Sequence, residues 1–132
     1  MICGIDPGVT GGIAFYNGLE LYAHRVPTSK LANKKILDME GICKLLVQYE
    51  PDMVFIEQQQ AMPRQGVAST FKTGFGYGVY IGILHALGYS YTVVIPRKWK
   101  SDLGVPSDKD MARQRATDLM PMGESSWSRK CE

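Results

Sequence analysis

Apolar residues in this chain fall into short unbroken runs separated by polar stretches rich in glycine and proline. The run at residues 2–5 reads as a buried strand that delivers one carboxylate, Asp6, at its end. Pro7-Gly8 and Gly11-Gly12 bend the backbone, and residues 13–16 read as a second strand. Asn17-Gly18 is a strong hairpin signal, and the alternation over residues 19–24 returns as a third strand. Residues 25–35, with Pro27, Thr28, Ser29, Asn33 and several lysines, read as a loop. Helical spacing begins near Leu37 and continues through Ile42, Leu45, Leu46 and Tyr49 until Pro51 stops it.

Residues 53–56 are another uninterrupted apolar run, the pattern of a strand covered on both faces, and it too ends on an acid, Glu57. A polar loop with Met62-Pro63-Arg64 follows, then a long helix expected over residues 67–87 and closed by Gly88. Gly74, Gly78, Gly82 and then Ala86 recur on one face of that helix. Each internal glycine costs up to about 1 kcal/mol relative to alanine. A close approach should offset that cost, first against the sheet, otherwise against a partner subunit or nucleic acid. Residues 91–95 read as a fifth strand, followed by Pro96-Arg97-Lys98-Trp99-Lys100 and a turn at residues 104–106. Ser107, with Asp110 three positions on, resembles a variant capping box that opens a helix through Ala112, Arg113, Ala116 and Leu119 as far as Pro121. Residues 122–132 carry no strong pattern.

Three antiparallel strands followed by alternating helices and strands predict an α/β domain. Its five-stranded mixed sheet has strands four and five parallel to the first, joined by right-handed crossovers. Strands one and four then lie side by side at the centre, with Asp6 and Glu57 adjacent at their ends. At 132 residues, one domain over residues 1–132 is expected.

The net charge of +2 is too small to imply an anionic partner, but its distribution is uneven. Residues 58–101 contain no acid, whereas Arg64, Lys72, Arg97, Lys98 and Lys100 all fall there. Such a block can present a positive surface to a polyanion. Cys3, Cys43 and Cys131 show no metal-ligand spacing, and Cys3 and Cys43 sit within apolar patterns, as core thiols of a reducing compartment would. Asp6 and the glycines interrupt any signal-peptide core, and the greasy stretch at residues 79–87 is too short for a bilayer, so a cytoplasmic protein without a membrane partner is expected.

Two carboxylates converging in a cleft repel unless a cation lies between them. A hard ion such as Mg²⁺ or Mn²⁺ satisfies both, and two such ions could activate water against a phosphodiester. A glycosidase couple ranks lower because the surroundings are basic. Unrelated strand-end acids are the bland alternative.

The opening Gly4-Ile5-Asp6-Pro7-Gly8-x-Thr10-Gly11-Gly12, then Phe55-Ile56-Glu57 and the helix after Gln65-Gly66, resemble RuvC-type Holliday junction resolvases, and the phage-type members most. Pro96-x-x-Trp99-Lys100 and Lys109-Asp110-x-x-Arg113 are similar to the same group. The resemblance implies a ribonuclease H-like fold, a homodimer, and metal-dependent hydrolysis that nicks four-way DNA junctions symmetrically. It implies that Asp6 and Glu57 are metal ligands for Mg²⁺ or Mn²⁺, with two ions per site, and that Lys100 and Lys109 lie near the scissile phosphate. Arg64, Lys72, Arg97, Lys98 and Arg113 would contact DNA. Met62 would act as an apolar wedge, and the helix with Gly74, Gly78 and Gly82 would support the dimer.

One feature departs from that group. Its members complete the metal site with further acids on a last helix, and no such helix is evident here. Glu132 lies nearest the missing position and Glu124 is a poorer candidate, so a truncated or degenerate member is expected. Two alternatives stay within the same fold: a non-cleaving binder of branched DNA, and a YqgF-like RNA nuclease. An actin-like ATPase would need a second lobe that 132 residues cannot supply.

Overall fold

The computed structural model describes residues 1–127. β1 (Ile2–Asp6), β2 (Gly12–Tyr16) and β3 (Leu21–Arg25) form an antiparallel meander. Asn17 makes the turn between the last two, its side-chain oxygen accepting from the Leu19 and Glu20 N–H groups.

The stretch expected as a loop is a hairpin. β4 (Thr28–Leu31) and β5 (Lys34–Leu37) pair antiparallel as a separate two-stranded sheet. Ala32 and Asn33 link them, both at positive φ, as a type I′ turn requires. Leu37 therefore ends a strand and does not open the helix. α1 (Met39–Tyr49) starts after Asp38, whose carboxylate accepts from the Gly41 N–H at 3.0 Å. It stops at Glu50, which is left-handed, just before Pro51.

β6 (Met53–Glu57) pairs parallel with β1. α2 (Val67–Leu87) has the expected bounds, and Gly88 closes it in the left-handed conformation. β7 (Tyr91–Val94) pairs parallel with β6, giving the sheet order β3-β2-β1-β6-β7. α3 (Pro96–Asp102) occupies the basic stretch that the sequence leaves without an element. Its proline stands at the first helical position, where no N–H is needed. α4 (Lys109–Leu119) is capped by Asp108 rather than Ser107, through a 2.9 Å bond from the Met111 N–H. A 3-10 turn (Pro121–Gly123) and α5 (Glu124–Trp127) complete the described residues.

Alternation along the strands divides the sheet into unlike faces. Cys3, Ile5, Ile13, Phe15, Val54 and Ile56 are buried on one, under Ile42 and Leu46 of α1 and Tyr80 and Leu84 of α2. Tyr49 of α1 stacks on Phe15 at 4.1 Å and pairs its hydroxyl with His24 at 2.8 Å. The other face is open, so β6 is not covered on both sides: Met53 is exposed and Phe55 half-buried. Burial pushes the Cys3 thiol up to about 12, while Cys43 is half-buried and Cys131 lies outside the described residues. No helix among the described residues is long and apolar enough to cross a membrane.

The glycines of α2 do not pack on the sheet. Its buried face is Gly76, Tyr80 and Leu84, whereas a Cβ at Gly74, Gly78 or Gly82 would meet nothing within 4 Å. The Tyr80 hydroxyl is buried without a hydrogen-bond partner, and burial raises its pKa above the ordinary phenol value. Tyr80→Phe removes that unmet desolvation while keeping the ring. Denaturant melts should show stability unchanged or raised by up to about 2 kcal/mol. A clear loss would mean that the hydroxyl has a partner in solution.

Candidate active site

Parallel pairing of β1 with β6 sets Ile5 opposite Ile56. Asp6 and Glu57 follow one residue later on neighbouring strands, both turned to the open face because the residues before them point into the core. They line one cleft of about 340 Å³. Gly4, Gly12, Ala14 and Ala23 keep the sheet low there, and Phe55 and Trp99 stand over it. Asp6 is exposed and Glu57 half-buried, so solvent and a bulky ligand can reach both.

The turn after β1 folds back tightly over the first acid. A Cβ on Gly11 would lie 2.1 Å from the Asp6 carbonyl oxygen and 3.0 Å from its carboxyl carbon. No side chain fits there without moving Asp6. The second acid is held by α3: the Trp99 indole N–H donates to Glu57 Oε2 at 2.8 Å. Next to it, Lys100 Nζ lies 5.6 Å from the Trp99 ring centroid.

The other cations sort by partner. Arg97 is exposed on α3, while Lys98 pairs with Asp102 at 2.7 Å and Arg113 with Asp110. Exposed pairs of this kind are worth about 0–1 kcal/mol, so a phosphate can compete for either cation. Lys109 opens α4 and is exposed, with no hydrogen bond or ion pair to Asp6 or Glu57. Lys72 lines a second cleft, beside the turn that follows Asp6.

Gln65 ties down the loop after Glu57, donating to Ser69 Oγ at 3.0 Å and Thr73 Oγ1 at 3.1 Å and accepting from the Met62 N–H at 2.9 Å. Arg64 is held at a φ of 65°, and Met62 is 59% exposed, which excludes a core role for it. Three features of the site escaped sequence reasoning: the Trp99 bond to Glu57, the need for Gly11, and the Gln65 clasp. Only the last had a signal, since Gln65, Ser69 and Thr73 recur every fourth residue from just before the start of α2.

Among the described residues no group of three or more His, Cys, Asp or Glu could hold a metal ion. Asp6 and Glu57 stand as a pair, which fits a Mg²⁺-type cation, because such ions are commonly bound by one or two carboxylates with waters and substrate phosphates. Glu124 is exposed on α5, an element that packs on the 3-10 turn and α4. Glu132 lies outside the described residues.

No protein-family model matches this chain, and no curated protein matches it in sequence. Among solved structures it is similar to Thermus thermophilus RuvC in complex with a Holliday junction substrate. The TM-score is 0.66 at 17% identity, over 98% of this chain and 83% of that one. It is also similar to a second Thermus thermophilus RuvC structure, with a TM-score of 0.59 at 18% identity, over 92% of this chain and 80% of the other. The chain therefore has the ribonuclease H-like fold found in RuvC.

Gly11→Ala should destabilise the protein by about 1–3 kcal/mol, the usual range for overpacking. Gly8→Ala is the control, since its Cβ would have no neighbour nearer than 3.8 Å. Equal melting midpoints for the two variants would show that the turn relaxes and that Asp6 is not held by it.

Proposed function

We propose that this chain is a metal-dependent endonuclease that recognises four-way DNA junctions and nicks them symmetrically. The observation that carries the proposal is the pair Asp6 and Glu57, delivered side by side to an open cleft flanked by the cationic α3. The shared fold adds support, because one of its similar structures is RuvC in complex with a Holliday junction substrate.

Asp6 and Glu57 would hold Mg²⁺ or Mn²⁺, as two ions per site. Bound there, such ions would supply Lewis-acid polarisation of the phosphodiester and a lowered pKa for the attacking water. The chain supplies position and charge. Trp99 orients Glu57, and Lys100 brings a cation beside it. Lys109, Arg64, Lys72, Arg97, Lys98 and Arg113 engage backbone phosphates, and exposed Met62 wedges into the junction centre.

A homodimer completes the proposal. Phe71 and Phe75 are 75% and 56% exposed, with their rings 6.4 Å apart, on the same open side of α2 as Gly74, Gly78 and Gly82. In a two-fold pair, the rings of one copy meet the flat glycine strip of the other, and the close approach offsets the helix cost of those glycines. A non-cleaving junction binder is the second reading, favoured by the lack of a third acid beside the pair among the described residues.

On a labelled four-way junction with Mg²⁺ or Mn²⁺, the wild type should introduce paired nicks. Asp6→Asn and Glu57→Gln should each slow nicking by more than about 100-fold while junction binding holds or strengthens. Binding without nicking by the wild type would favour the second reading. No preference over linear duplex, or displacement by structured RNA at equal concentration, would refute junction recognition. In sedimentation, the wild type should run as a dimer and Phe71→Glu as a monomer; a wild-type monomer at micromolar concentration would remove the dimer.

A further inference from the structure

The β4–β5 ribbon puts like charges face to face. In its register Lys30 lies directly opposite Lys35, so both side chains leave the same face. Like charges in that arrangement destabilise a hairpin, and a two-stranded hairpin is marginal to begin with. Among the described residues no carboxylate pairs with Lys30, Lys35 or Lys72.

The ribbon is nevertheless anchored in place. Leu37, on the same face as Lys35, is buried and reaches toward α2, where its Cδ1 would lie 3.5 Å from a Cβ on Gly76. That anchoring makes the ribbon one wall of the second cleft, about 270 Å³ in volume. The turn through Thr10 and Gln59 line it too, as do Lys72 and Phe75 of α2 with Lys35 and Ile36 of the ribbon. Its lining starts at Pro7, one residue after Asp6, and includes Gln59, two residues after Glu57. The second cleft is thus lined by the turn that follows Asp6 and by the loop that follows Glu57.

We infer that the ribbon is a DNA-gripping arm, in which Lys30 and Lys35, with Lys72 of α2, bind backbone phosphates of the strand next to the cleaved bond. This assignment rests on the proposed action on DNA. It goes beyond it in giving the residues 28–37 hairpin, an element separate from the main sheet, a ligand of its own.

Salt-dependent binding to a four-way junction, measured without divalent ions, tests the arm. Changing Lys30→Gln and Lys35→Gln together should lower the slope of log affinity against log salt by about 1.4–1.8, the loss of two phosphate contacts. Lys34→Gln, on the opposite face of the ribbon, should leave the slope as in the wild type. Lys35→Glu makes the sharper test, because its two effects have opposite sign. It should raise the melting temperature by removing the like-charge pair, and weaken junction binding by about tenfold or more. A merely structural lysine would lower stability and binding together. Wild-type affinity in the double variant, or an equal loss in Lys34→Gln, overturns the arm while leaving the nuclease proposal standing. A wild type that binds no DNA overturns both.

Discussion

The parallel ladder between β1 and β6 is the constraint on which the rest of the molecule depends. Its register sets Ile5 against Ile56, and side chains alternate along each strand, so the residues that follow must project from the far side. A slip of one residue in either strand would turn one acid into the core and one isoleucine out of it. The acids are thus placed by the packing of Cys3, Ile5, Val54 and Ile56 beneath them, and no contact between the acids is needed to hold them together.

This division of labour runs through the fold. The covered face carries the buried residues of α1 and α2 and the Phe15–Tyr49 stack. On the open side, α3, α4 and α5 bury no residue completely. The stability of the domain comes from one face, and the other can be shaped by ligand access. Small residues at Gly4, Gly12, Ala14 and Ala23 would weaken a packed core, but here they keep the cleft open above the sheet.

The parts of this arrangement that sequence reveals are those written in local pattern. The runs before Asp6 and Glu57 are short and apolar, and α2 has its periodic length and a glycine stop, so the sheet centre and the acid pair could be read directly. The hairpin at residues 28–37 was hidden because its turn is Ala32-Asn33, without glycine, and its strands carry lysines in place of alternating apolar residues. α3 was hidden because Pro96 reads as a breaker unless it is known to stand at a helix start. The Trp99 bond to Glu57 joins residues 42 apart, and the Gly11 restriction depends on how a turn folds back on its own strand. Contacts of that kind belong to the assembled backbone and have no signature along the chain.

The indole bond also has a mechanical side. α3 is only seven residues long and buries none of them completely; it is joined to the sheet through Ile95 and to Glu57 through Trp99. Arg97, Lys98 and Lys100 ride on the same two turns as that indole. A displacement of those cations would reach the carboxylate through the indole N–H as through a short crank, so the charge on α3 and the acid on β6 are mechanically linked.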